Sequence, residues 1–402
     1  MAPFLINKFG IELYGVIALA NSLPSYIQVF TVGLSNSTTR FISISKEKGD
    51  FELANIYFYT SYKALLSFVS IIFPLILLFV FFTPFLFVLP NNFENESQFL
   101  FFLILISTIF NILHAPFGSV YQLYSKFLQK NIITIFSKLT SVLILYLLFY
   151  FFTPEIWYVG IYHIGTAVFS LVLLFLNYNK FQNIFQLKHK IFKISAFKQI
   201  GKLGFWNSVN DLAALFFLIM SQVLINQFMG NQQSGYFGPI LLLFSLFVMG
   251  AGAISNVLMP LIYRDIANNN NNNLENRLLF FSKSLSYIIA IPLFIFVVFA
   301  NDLIVLWLGY KFLYIVPTTQ IILISLFFGG IIFIPYVHYY RGLNKIKVPA
   351  ITNIAFGILN FILVITGFYF DLGLLGVAYS FSFTFGLRGI FFNLIYFSFI
   401  TE

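Results

Sequence analysis

Cysteine is absent from the 402 residues. That absence excludes disulfides, thiolate catalysis and cysteine-ligated metal sites. Charge is scarce as well. Asp, Glu, Lys and Arg make up 9% of the chain, against about 25% in an ordinary soluble domain. The four histidines, His114, His163, His189 and His338, lie too far apart for a metal-ligand spacing, so no metal is expected. Large polar segments are missing too. The longest loops on one side of the chain's crossings lie near 90–98 and 301–313, too short for an enzyme's catalytic domain. The paired acids there, Glu94 and Glu96, read as a solvated turn. No catalytic residue and no cofactor is expected.

What fills the space is apolar. Hydrophobic types reach 60% and aromatics 21%, including 57 Phe. A soluble core cannot absorb that much apolar surface without large exposed patches, whereas bilayer lipid can. The runs Leu65–Leu89, Phe99–Leu113, Ile132–Phe152 and Ser284–Ala300 are nearly free of charge. A helix needs roughly 20 apolar residues to cross about 30 Å of hydrocarbon. Barrel strands would alternate polar and apolar residues, and these runs do not. The fold class is therefore all-α, a polytopic membrane protein. Eleven complete spans are expected, near 13–34, 57–89, 98–122, 131–152, 155–178, 204–228, 234–262, 279–300, 314–339, 348–369 and 373–398.

The bases test that count. With 42–55 placed in the cytoplasm and the spans alternating, 17 of the 22 Lys and Arg fall on cytoplasmic segments. Only Lys8 and Lys311 fall outside, and Lys63, Lys138 and Arg388 lie within spans. That is a positive-inside pattern. The net charge of +9 thus reports topology, and no nucleic-acid partner is expected.

The chain also repeats itself. Ile6-Asn7-Lys8-Phe9-Gly10 resembles Ile225-Asn226-Gln227-Phe228-Met229-Gly230. Pro116, Tyr121 and Lys126 match Pro335, Tyr340 and Lys345 at a shift of 219. Leu105-Ile106-Ser107 matches Leu323-Ile324-Ser325. Two halves with an even number of crossings each share one orientation, which is a parallel repeat. The expected organisation is an N-terminal helical lobe over 1–178, a basic cytoplasmic linker over 179–203 and a C-terminal lobe over 204–402, six helices to a lobe. The partner of span 204–228 would begin before Met1, so the first helix is expected to be incomplete.

Pro3-Phe4-Leu5, Phe9-Gly10, Tyr14-Gly15, then Gly33-Leu34-Ser35-Asn36 with Arg40 and Gly49-Asp50, resemble the opening of Wzx-type polysaccharide flippases. Leu306-Trp307-Leu308-Gly309 with Phe312, and Arg341-Gly342-Leu343-Asn344-Lys345, carry the same resemblance. It covers most of the chain, through short motifs. Those flippases belong to the multidrug/oligosaccharidyl-lipid/polysaccharide exporter superfamily. The resemblance implies two helical lobes, a central cavity and alternating access in the plasma membrane (the inner membrane of an O-antigen producer). It implies a polyprenyl-pyrophosphate-linked oligosaccharide as cargo. It also implies neighbours in cell-surface polysaccharide synthesis, a glycan polymerase and glycosyltransferases, besides membrane lipid.

Within that reading the intramembrane charges become candidates. Arg388 lies deep in its span, and a guanidinium grips phosphate oxygens with two N–H groups. Arg40, Lys63 and Lys138 are further candidate bases, with anchoring or snorkelling as their structural reading. Asp211, in Asn207-Ser208-Val209-Asn210-Asp211, is the candidate for ion coupling, since acids inside membranes are costly and mark ion paths. A cation-coupled drug exporter of the same superfamily is the alternative, followed by a membrane glycosyltransferase or polymerase. A scaffold without transport is a further reading.

Overall fold

The computed structural model describes residues 1–47, 49–123, 126–178, 191–267, 271–343, 345–390 and 396–397. Among the described residues there is no strand, and fourteen α-helices follow one another. They are α1 (Ala2–Ser22), α2 (Pro24–Glu47), α3 (Phe51–Leu86), α4 (Glu94–Leu123), α5 (Phe127–Phe151), α6 (Tyr158–Tyr178) and α7 (Ile194–Leu215). Then come α8 (Ile219–Ala267), α9 (Asn271–Val298), α10 (Ala300–Leu308), α11 (Val316–Gly329), α12 (Ile334–Gly342), α13 (Lys347–Tyr369) and α14 (Gly373–Ile390). Among the described residues nine helical runs are long and apolar enough to cross a membrane. The run Ile194–Ser255 holds two of the expected spans, so the nine runs hold ten. The eleventh falls on α14, with 391–395 outside the described residues. The stretch 301–313, expected as a loop, is α10 followed by a 3₁₀ turn over Tyr310–Ile315.

α8 has 49 residues, about 74 Å if straight at 1.5 Å per residue. It is not straight. Gly230 has φ 80 and ψ −177 inside it. Gln222 Nε2 donates to Ser234 Oγ at 2.7 Å across twelve residues, which in one helix would lie about 18 Å apart. Gly230 therefore reverses the chain into a hairpin, through a backbone conformation that only glycine adopts freely. Gly10 has the same conformation in α1, φ 80 and ψ 173. The repeat read from the letters is thus present in the dihedrals.

It is present in the turns and cores as well. Lys126 N–H donates to Tyr121 O at 2.8 Å, and Lys345 N–H to Tyr340 O at 2.9 Å. One buried cluster contains Ile42, Ala54, Phe58 and Tyr121. A second contains Ile262, Leu274, Leu278 and Tyr340. The second set follows the first by 219 or 220 residues at every position, so equivalent residues build equivalent cores.

Packing divides the chain into two compact units, Val16–Asp211 and Met1–Gly15 with Leu212–Glu402. These cuts differ from the boundaries at 178 and 204 expected from chain order. In the first unit α4 packs on α6, α5 on α6, and α2 on α3 and α4. The first part of α7 joins them: Tyr57 Oη donates to Gln199 Oε1 at 2.6 Å, Ser208 Oγ donates to Val29 O at 3.1 Å, and Ala196 and Ile200 enter the core. Residues 179–190 of the expected linker lie outside the described residues. In the second unit α11 and α13 pack on α14, and α8 on α9 and α12.

The N-terminal segment belongs to that second unit because backbone meets backbone there. A Cβ on Gly15 would stand 2.1 Å from Asn231 O, and a Cβ on Gly235 2.1 Å from Ile11 O. Residues 11 and 15 correspond to 231 and 235 in the repeat, so the contact is reciprocal. Small residues permit such close crossings of membrane helices. Gly15→Val should therefore destabilise the protein by about 1–3 kcal/mol, the usual cost of overpacking. Gly252 has nothing within 4 Å of its Cβ position, and Gly252→Ala should stay within about 0.5 kcal/mol. Thermal unfolding in detergent checks this, and equal midpoints for the two variants would refute the crossing.

Candidate functional site

The second unit contains a break in membrane-spanning helix. α7 ends at Leu215 and α8 begins at Ile219. The turn between them tightens: Phe216 N–H donates to Ala213 O at 3.2 Å and Phe217 N–H to Ala214 O at 3.4 Å, the i to i−3 pattern of a 3₁₀ turn. Such a turn strands carbonyl groups, and in lipid each must find a partner within the protein. Asn360 on α13 supplies it. Its Nδ2 donates to Phe217 O at 2.8 Å and to Phe216 O at 3.2 Å. Ser221 Oγ adds a bond to Phe217 O at 2.9 Å. Gly357, one turn earlier on α13, leaves room for the approach: a Cβ there would meet Phe216 Cβ at 3.0 Å and Ala213 O at 3.1 Å.

Because the amide N–H₂ of Asn360 faces two carbonyls, its Oδ1 points to a donor. That donor is Thr384 Oγ1 on α14, at 3.1 Å. The same hydroxyl lies 2.7 Å from Ser380 O, so its single proton is shared. One turn further along α14 stands Arg388. Its guanidinium carbon lies 4.6 Å from the Phe385 ring centre and 5.7 Å from that of Phe217. Phe217 is the turn residue whose carbonyl Asn360 holds. A desolvated guanidinium on an aromatic face gains about 2 kcal/mol. The rings do not neutralise its charge, and Arg388 Nε is enclosed with no hydrogen-bond acceptor among the described residues. The site is a partly buried cation with a free N–H, walled by aromatic rings at a helix break.

The other expected site residues lie in the unit Val16–Asp211. Arg40 on α2, Lys63 on α3 and Lys138 on α5 all have exposed side chains. Asp211 on α7 is partly buried, and Asn210 Nδ2 donates to its Oδ1 at 3.1 Å. The described geometry gathers Arg388 with Asn360, Thr384, Phe217 and Phe385, and gathers none of the other four candidates with one another. His114 Nδ1 lies 2.6 Å from Asn111 O. His189 lies outside the described residues. Asn360 and Thr384 were missed by sequence reasoning. The available signal was the pair of amides, Asn353 and Asn360, inside the apolar run of span 348–369.

This architecture is the two-lobed helical fold of the MATE transporters of the MOP superfamily. A MATE transporter in an inward-facing conformation matches with a TM-score of 0.75 at 13% identity, over 100% of this chain and 93% of that one. An outward-facing conformation matches at 0.74 and 14% identity, over 100% and 90%. A MOP superfamily transporter from Pyrococcus furiosus Vc1 (DSM3638), described as having a binding pocket of reverse polarity that suggests a different function, matches at 0.72 and 13% identity, over 100% and 96%. In sequence the chain is similar to the uncharacterized membrane protein EpsK of Bacillus subtilis (strain 168). They share 26% identity over 411 residues, 100% of this chain and 79% of that protein. No family model matches the chain.

Proposed function

We propose that this protein moves a polyprenyl-pyrophosphate-linked oligosaccharide from the inner to the outer leaflet of the plasma membrane, for cell-surface polysaccharide synthesis. The observation that carries the reading is Arg388. A guanidinium half-buried on Phe217 and Phe385, with an enclosed N–H and no acceptor among the described residues, suits an anionic headgroup. Pyrophosphate oxygens match the planar fork of donors. A carrier of drug cations would favour acids in the cavity of the first half, and the interiors of the expected spans of the first half contain none. Pocket polarity differs among proteins of this fold, as the description of the Pyrococcus protein says of that protein. The reading involves no bond chemistry and requires no cofactor. Cargo would come from glycosyltransferases, and the product would pass to a glycan polymerase.

Reconstitution into liposomes tests the cargo class. A short polyprenyl-pyrophosphate glycan with a fluorescent tag should become accessible to a membrane-impermeant quencher faster than in protein-free liposomes. Ethidium should not be moved. Movement of ethidium without movement of the glycan lipid would select the exporter instead.

A further inference from the structure

We infer that Asn360 is the positioning residue of the Arg388 site, holding the Phe217 wall in place from a third helix. The inference rests on the proposed pyrophosphate reading. Asn360 touches neither the guanidinium nor a ligand. It is fully enclosed, at 0% exposure, and its two ends reach the two structures that carry the rings. The Nδ2 end holds the carbonyls of Phe216 and Phe217, at 3.2 and 2.8 Å. The Oδ1 end meets Thr384, 3.1 Å away and one residue before Phe385.

The reason for assigning this to one side chain lies in the local sequence. Ala213-Ala214-Leu215-Phe216-Phe217-Leu218 contains neither proline nor glycine, the common causes of a sharp kink. Such a stretch favours continuous helix. Continuous helix would return the carbonyls of Phe216 and Phe217 to their own ladder and rotate Phe217 away from its present direction. The break persists because a buried amide satisfies the carbonyls it strands. Ser221 serves only one of them. Removing the amide leaves Phe216 O without its side-chain donor, at a penalty of the order of 1–3 kcal/mol, and leaves Phe217 O with Ser221 alone. The helix can avoid that penalty by straightening, which takes Phe217 from under Arg388. Phe385 keeps its place on α14, packed at 4.7 Å between ring centres on Phe381. The cation would then keep one wall of two.

The test is equilibrium binding of radiolabelled farnesyl pyrophosphate to the purified full chain in detergent, with Kd and the number of sites fitted separately. Arg388→Ala, Asn360→Leu and Thr384→Val are compared with the unaltered protein. Arg388→Ala should abolish saturable binding. An unchanged Kd in that variant overturns the pyrophosphate reading itself. With that loss established, Asn360→Leu should raise Kd about tenfold, equivalent to about 1.4 kcal/mol, at an unchanged number of sites. A role in folding alone would lower the number of sites and leave Kd as it was, and that result overturns the positioning role. An unchanged Kd at full site number overturns it too. If Asn360→Leu yields no folded protein, Thr384→Val decides. It removes only the shared hydroxyl proton and should raise Kd about twofold, and an unchanged Kd counts against the role.

Discussion

Arg388→Ala should lower the initial rate of glycan-lipid translocation in proteoliposomes by at least about a hundredfold, and Arg388→Lys by about tenfold. Each hydrogen bond to a charged group contributes about 1.5–3 kcal/mol, and about 1.4 kcal/mol is a factor of ten. Alanine removes two such bonds to phosphate oxygens together with the charge. It leaves the Phe217 and Phe385 rings without the cation that lies over them. Lysine keeps a positive charge but loses the planar fork, and its compact ammonium stacks less well on rings. The order wild type, lysine, alanine is therefore the informative result. A rate for Arg388→Ala equal to the unaltered protein, at matched protein per liposome, would remove Arg388 from the mechanism.

Asp211→Asn should abolish the dependence of transport on an imposed ion gradient while leaving the protein folded. Asp211 stands on α7 with Asn210 Nδ2 at 3.1 Å from its Oδ1, a bond that asparagine's own carbonyl can accept. Size and this contact are kept, and the ionisable oxygen is lost. An intramembrane acid that binds a proton or sodium ion does so through its charge. The rate in the variant should fall to the gradient-free level of the unaltered protein, and thermal stability should change by less than about 1 kcal/mol. Rates with and without an imposed proton or sodium gradient check this. Equal gradient dependence in both proteins would leave Asp211 a structural residue.

Much of the architecture was legible before any coordinates. Apolar runs of membrane length must be helices, because lipid offers no partner for backbone groups, and the described residues of the eleven expected spans lie mostly on helices. The repeat was legible from short matches such as Ile6–Gly10 with Ile225–Gly230. Glycine at the end of each match proved to have a φ of 80 in both copies, and at Gly230 it reverses the chain. Unit boundaries were less legible. Chain order suggested cuts at 178 and 204, whereas packing cuts at 15 and 211. The cause is contact at residues without side chains: Gly15 with Asn231 in one unit, and Gly33 with Gly204 and Ser208 in the other. Glycine in a sequence reports that something comes close, but not what.

The sequence by itself determined the membrane, the apolar spans, the repeat and the single arginine on α14. Those features follow from transfer energies and periodicity, which act along the chain. Tertiary structure alone decided the break at Phe216–Leu218, since Ala-Ala-Leu-Phe-Phe-Leu is sound helix-forming sequence. It breaks where an amide 143 residues away takes the stranded carbonyl of Phe217. Which rings meet Arg388 was decided in the same way: Phe385 is its neighbour on one helix, but Phe217 reaches it from a distant turn, whose carbonyl Asn360 holds and whose ring packs on Phe381 and Phe385.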